Sequence, residues 1–136
     1  MTGDKNMSKR KLKNVKKFDI FYADLGQTRG SEQAGIRPVL IVQNDVGNKY
    51  STTTIVLPLT KRVEKNKKLP VHIPIKAIGK KIKNGTIMVE QIRAIDKKRL
   101  LFFVVKLPVE YRWQVRKAMN IATILDIGGK NYDKKI

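Results

Sequence analysis

The stretch QTRGSEQAGIRPVLIVQND, residues 27–45, decides how this chain is read. It passes from a polar, glycine-bearing loop straight into Val39-Leu40-Ile41-Val42, a run after Pro38 that is comfortable only inside a core. Arg37 stands at the junction, behind a loop that carries Arg29, Ser31, Glu32 and Gln33. Taken alone, such an arginine reads as a strand-end cation paired with Glu32 or Asp45.

The pattern continues on both sides as short apolar runs separated by turn chemistry. FDIFYAD (18–24) alternates, TTTIVLPL (52–59) is rich in β-branched residues, and GTIMVEQIRAI (85–95) and LLFFVVKL (100–107) read as further strands. LPVHIPI (69–75) contains two prolines, which confine it to an edge or a strand end. Close-spaced short strands of this kind predict a small barrel or a strongly curved sheet. NDVGNKY (44–50) reads as a turn, with Gly47 and Asn48 suited to positive φ.

One helix follows the strands. Pro108 lies in its first turn, Glu110 near the positive end of its dipole, and Gly128-Gly129 stops it. Tyr111, Val115, Ala118, Met119, Ala122 and Leu125 share one face, which is either core or a subunit contact.

The chain has 136 residues, enough for one domain with a small core. It contains no cysteine, which excludes a disulfide framework and Cys-based zinc sites and suits a reducing cytosol. No apolar run approaches the length that crosses a bilayer, so a soluble, cytoplasmic chain is expected. The net charge is +19, from 30 Lys and Arg against 11 Asp and Glu. Self-repulsion on that scale is relieved by a polyanion, with nucleic acid the leading partner and an acidic protein or an anionic membrane surface serving the same electrostatics. The charge is clustered in KNMSKRKLKNVKK (5–17), KRVEKNKK (61–68), KAIGKKIK (76–83) and the tail KNYDKKI (130–136). A single such run is an ordinary solvated loop; several on one small domain point to a partner. Residues 1–16 read as a mobile basic arm, 17–127 as the domain and 128–136 as a basic tail.

The inventory of reactive groups is short. There is one histidine, His72, so a two-imidazole acid–base pair is impossible within one chain, and its place among Val71 and Ile73 suggests a structural or exposed role. No D-x-D, E-x-x-H or HExxH occurs, so no metal-ligand set is visible; no phosphate-binding glycine loop and no G-x-S-x-G elbow occurs either. No cofactor is implied. Arg, Lys, Ser, Thr, Glu, Gln and backbone amides remain. These still allow metal-free cleavage of RNA, because the 2′-OH is an internal nucleophile that needs only to be held in line while charge on the phosphoryl oxygens is stabilised.

The segments DIFYADLGQTRGSEQAGIRPVLIVQNDVGNKYSTTTIVLPLT (19–60), KLPVHIPI (68–75) and VEQIRAIDKKRL (89–100) together resemble the MazF/PemK family of toxin endoribonucleases. The GSEQ-x-G-x-RP loop, the QND-x-GN turn, the strand ending in Thr60 and EQIR-x-IDKxRL arrive in family order, and the likeness covers roughly residues 17–126. The resemblance implies a mainly β, SH3-like (CcdB/PemK-type) barrel with a C-terminal helix, working as a homodimer. It implies metal-independent cleavage of single-stranded RNA at short sequences, leaving 2′,3′-cyclic phosphate and 5′-OH ends, and a cognate acidic antitoxin. Carried over by motif position, the catalytic pair is Arg37 and Thr60. Gly30, Ser31, Glu32 and Gln33 would form the loop over the RNA, and Glu90 and Gln91 would lie near its floor. On this reading Arg37 stands at the mouth of a rigid strand because a phosphate clamp must not wander, while the loop before it admits RNA. Two other classes share the fold: a non-catalytic RNA binder and a gyrase-poison-like toxin. The chain departs from the family where Phe18-Asp19 replaces the usual Gly-Asp at the first strand, at Thr28-Arg29 in the loop, and in its basic arm and tail.

Overall fold

The computed structural model describes residues 14–27, 30, 33–62 and 71–123. The loop residues Thr28, Arg29, Ser31 and Glu32, most of the basic arm, the run 63–70, and Leu125, the Gly128-Gly129 stop and the tail lie outside the described residues.

Among the described residues seven strands form one antiparallel sheet: β1 (Asp19–Asp24), β2 (Ile36–Ile41), β3 (Thr53–Thr60), β4 (His72–Ile75), β5 (Gly85–Met88), β6 (Arg93–Asp96) and β7 (Leu100–Lys106). Their order is β4-β5-β3-β2-β1-β7, with β6 also paired to β3. β3 is the strand around which the sheet turns. Thr53 to Val56 pair with β6, Leu59 and Thr60 pair with β5, and Val56 to Pro58 face β2 on the other side. Pro58 falls where β3 changes partner from β6 to β5, an irregularity that tolerates a residue without N–H. The run 85–95, expected as one strand, is broken by a 3-10 turn at Val89–Gln91. A single straight strand cannot follow β3 through its bend, so the chain steps from one end of β3 to the other, pivoting on buried Val89.

Both faces of the sheet are covered, which is why Val39 to Ile41 form an unbroken apolar run. Leu40, Leu57, Leu59 and Ile87 point into one core together with Val115 and Ala118 of the C-terminal helix. Val39, Ile41, Val56 and Ile95 belong to a second core on the opposite face. Val15 is buried in that second core and the Lys16 amide donates to Asp19 Oδ2 at 2.9 Å, so the fold begins before residue 17.

Residues 44–50 form a helical turn rather than the open turn expected: α1 (Asp45–Tyr50), capped by Asn44, whose side chain accepts from Gly47 N at 2.8 Å. Gly47 and Asn48 keep negative φ. Asn48 is buried and forms a polar hub instead: its side chain donates to Gln43 O at 2.9 Å and accepts from Thr54 Oγ1 at 2.7 Å. Its carbonyl accepts from the ammonium of buried Lys97, which joins the QND-x-GN and IDK motifs. Asp45 accepts from the Lys17 amide, and this bond, helped by the Asn48 side chain and the charges of Lys16 and Lys17, holds its carboxyl below the usual range.

The helix α2 (Val109–Thr123) follows Pro108 directly and packs over β4 and the Val89–Gln91 turn. Val115 and Ala118 are buried, and Tyr111 and Met119 pack against the same core. The expected stripe is therefore intramolecular core as far as Met119, while Ala122 is exposed. Exposed large apolar residues lie off that stripe, at Val109 and Trp113 of the same helix and on β7. β7 shifts register against β1 twice, leaving Val104 and Leu101 unopposed. The shifts break the in–out alternation, so Leu101, Phe102 and Phe103 are all exposed in succession.

Phe18 has φ 72°, the left-handed region that bulky residues avoid. This explains why glycine is usual at this position in the family that the sequence resembles. Here the ring is buried in the main core, with the Arg112 and Arg116 guanidinium carbons 5.1 and 5.8 Å from its centroid. Burial of a phenylalanine, about 3–5 kcal/mol against alanine, outweighs backbone strain of about 1–3 kcal/mol. Both Phe18→Gly and Phe18→Ala should be less stable than the native chain. Glycine should be the better of the two by about 1 kcal/mol, because it alone is unstrained there. Urea unfolding midpoints test this order; alanine equal to or better than glycine would remove strain from the account.

Candidate active site

The β2–β3 ladder pairs Val39 with Pro58. The ladder ends at that pair, and Arg37 and Thr60 stand two residues beyond it, paired instead with Ala23 of β1 and Thr86 of β5. Arg37 is half-buried, with Nε donating to Ala34 O at 2.9 Å and an Nη to Leu59 O at 3.5 Å. The expected ion pair with Asp45 is absent, since that carboxylate is engaged at the far end of β2 by the Lys17 amide. Among the described residues the partners of Arg37 are these two backbone carbonyls, which orient the guanidinium without neutralising it.

Thr60 ends β3 and is half-buried. Its Oγ1 accepts from the Arg62 amide at 3.3 Å, which leaves the hydroxyl proton to donate elsewhere. Two neighbours on β5 hold it. Thr86, buried, pairs with Thr60 in register and donates Oγ1 to Arg62 O at 2.8 Å. Gly85 lets β5 approach so closely that a Cβ there would collide with the Thr60 carbonyl oxygen.

Arg37 and Thr60 line one cleft of about 660 Å³. Among the described residues that line it, the cations are Arg37, Lys61, Lys80, Lys81 and Lys83, and none is a carboxylate. Tyr22, Ile36, Pro38, Leu59 and Ile75 supply the apolar part of the wall. A second depression of about 310 Å³ contains Gln33, Glu90 and Gln91, with Arg93 and Pro58. Pro58 and Leu59 are chain neighbours, so the two depressions adjoin across β3. Gln33 donates to Met88 Sδ at 3.2 Å. Glu90 Oε2 is 2.6 Å from His72 Nε2, and the His72 side chain is nearly buried beside it. His72 thus fixes the direction of the Glu90 carboxylate. Gly30 is exposed at φ 63°, while Ser31 and Glu32 lie outside the described residues. Among the described residues no group of three or more His, Cys, Asp or Glu is placed to hold a metal ion.

Sequence reading missed Tyr22, Lys61, Lys80, Lys81, Lys83 and Arg93. The basic runs that contain most of these lysines are plain in the sequence, but nothing there shows which turn toward Arg37. Arg93 lies within the EQIR motif, and one of its buried Nη atoms has no partner among the described residues.

A curved antiparallel sheet with a C-terminal helix packed on it, bearing a basic cleft at the end of β3, defines a small SH3-like barrel protein. The chain belongs to the PemK-like, MazF-like toxins of type II toxin–antitoxin systems, whose family profile matches residues 16–123. Among its relatives, endoribonuclease EndoA of Bacillus subtilis (strain 168) is 43% identical over 113 residues, 82% of this chain and 96% of that protein. The fold is shared with an endoribonuclease solved in complex with its cognate antitoxin from Mycobacterial species, with TM-score 0.67 at 18% identity over 82% of this chain and 97% of that one. It is also shared with MazF of Deinococcus radiodurans, with TM-score 0.66 at 20% identity over 78% and 93%.

Gly85→Ala should force β5 away from the end of β3. Faster amide exchange is expected at Ile87, Leu59 and Thr60, with little change on β1 and β2. Unchanged protection at the β3–β5 ladder would show that the close approach is not needed.

Proposed function

We propose that this protein is the toxin of a type II toxin–antitoxin system and a metal-independent, sequence-specific endoribonuclease acting on single-stranded RNA in the cytoplasm. The observation that carries this reading is that Arg37 and Thr60 line one basic cleft with no carboxylate among its described residues. The family relationship and EndoA, an endoribonuclease by name, support the activity. In keeping with the location, no helix among the described residues is long and apolar enough to cross a membrane.

The chemistry follows from the donors present. The 2′-oxygen attacks phosphorus, the bond to the 5′-oxygen breaks, and the proton lost from the 2′-OH is balanced by one gained at the leaving oxygen. The products are a 2′,3′-cyclic phosphate and a 5′-OH. Arg37 donates to the phosphoryl oxygens as their charge grows, and the Thr60 hydroxyl adds a further donor from the opposite strand. Glu90, Gln91 and Gln33 offer both donors and acceptors, the groups needed to read exposed base edges. DNA lacks the nucleophile.

Purified protein is expected to cut a long single-stranded RNA equally well with and without EDTA. Arg37→Ala should lower the rate by about 10²–10³ while reducing RNA affinity much less, because charge on the phosphate is greatest in the transition state. A magnesium requirement, equal cutting of DNA, or binding without cleavage would each overturn the reading. Comparable losses in binding and in rate would reduce Arg37 to a phosphate anchor.

The protein acts as a homodimer, held in check by an acidic antitoxin that offsets its +19 charge. The antitoxin in the mycobacterial complex supports that partner. With the α2 stripe used internally, the surface best suited to a second copy is Leu101-Phe102-Phe103 on β7. Sedimentation at micromolar concentration should give a dimer, and Leu101→Glu should raise the monomer fraction. A native chain that is only monomeric would exclude the homodimer.

A further inference from the structure

Lys80, Lys81 and Lys83 lie on the connection between β4 and β5, and no motif used above assigns them a role. This connection is firmly built. Ile78 and Ile82 form an isolated bridge, with Ile78 N donating to Ile82 O at 2.8 Å, and Gly79 supplies the left-handed residue of the turn at φ 54°. Ala77 N donates to Asn84 Oδ1 at 2.6 Å, and Ile82 is buried in the main core. The lysines therefore project from a stiff, anchored turn. All three are exposed, and all three line the Arg37–Thr60 cleft.

No ion pair among the described residues neutralises them: the pairs present are His72–Glu90 and Lys106–Asp19. Lys81 Nζ reaches only the Val104 carbonyl, at 3.5 Å. Together with Lys61 and Arg37, five cations thus line one cleft with no carboxylate among its described residues, a self-repelling arrangement that an anion relieves. The opposite depression, with its glutamines and Glu90, has quite different chemistry. Lysine is a point charge on a flexible stem, suited to the backbone phosphate and poorly suited to base recognition. The Tyr22 ring and the aliphatic wall complete a surface of the kind that single strands follow, with charge for the phosphates and a flat apolar face beside it.

We propose that Lys80, Lys81 and Lys83 form a second phosphate subsite, which grips the RNA backbone flanking the cleaved bond on the β4–β5 side irrespective of base. This assignment rests on the endoribonuclease reading.

The test uses full-length protein and an oligonucleotide with 2′-O-methyl groups throughout, which cannot be cut, with affinity measured by fluorescence anisotropy against salt. Each phosphate neutralised contributes about 0.7 to the slope of log affinity against log salt. The triple variant Lys80→Gln, Lys81→Gln, Lys83→Gln should therefore have a slope shallower by about 2. Between 50 and 200 mM salt its affinity should fall roughly 20-fold less than that of the native protein. The triple Lys→Arg variant should restore the slope, which separates lost charge from lost folding. On a long natural-backbone RNA the glutamine variant should cut the same bonds at a raised KM. Superimposable slopes would overturn the subsite, as would a changed set of cleavage positions. Failure of the native protein to cleave would overturn the endoribonuclease reading instead, leaving the slope comparison to decide the subsite.

Discussion

The ladder between β2 and β3 is the constraint on which the molecule depends. Buried on both faces, it cannot slip by one residue without exchanging its two cores: Leu40 and Leu57 would trade places with Val39, Ile41 and Val56. Arg37 and Thr60 stand just beyond the Val39–Pro58 end of that ladder and line one cleft. Stability and site geometry are thus two results of one alignment, and the site inherits the rigidity of the core. Gly85 and Thr86 extend the arrangement from the β5 side, where contact with the end of β3 is closest.

Electrostatics divides the site along β3. One side collects cations whose only described partners are carbonyl oxygens; the other holds amides and a carboxylate steadied by His72. Charge of one sign suits a repeating anionic backbone, whereas mixed donors and acceptors suit objects that differ from one another. Five cations in one cleft, with no carboxylate among its described residues, cost the free protein stability, and their persistence is understandable if the protein is seldom without an anionic partner.

Much of this was legible in the sequence because its signals were local. Apolar runs located the strands, the apolar face located α2, and the order of motifs singled out Arg37 and Thr60, which line one cleft. What stayed hidden depends on distant packing. NDVGNKY has the composition of an open turn, yet it folds as a helical turn because Asn48 meets Thr54 and Lys97, partners that no local window contains. The segment 85–95 has the pattern of one strand; only the bend of β3 divides it. The lysines beside Arg37 were visible as charge but not as direction, since an exposed lysine gives no periodic signal. Phe18 is the clearest case, for a departure from the family pattern proved to mark a left-handed residue held in place by its buried ring.

The irregular pairing of β7 has a consequence for assembly. An unpaired outer strand with adjacent phenylalanines is the sort of surface on which chains stack without limit, each adding hydrogen bonds to the last. Two register shifts within seven residues spoil that template: carbonyl and amide groups no longer present an even row, while the side chains remain available for contact. Adhesion is thereby separated from polymerisation. A neighbour can be held by side-chain packing, which has a definite shape and can be filled once, and not by a backbone ladder, which can always be extended. The same distortion that exposes the aromatic residues also sets a limit on how many copies they can recruit.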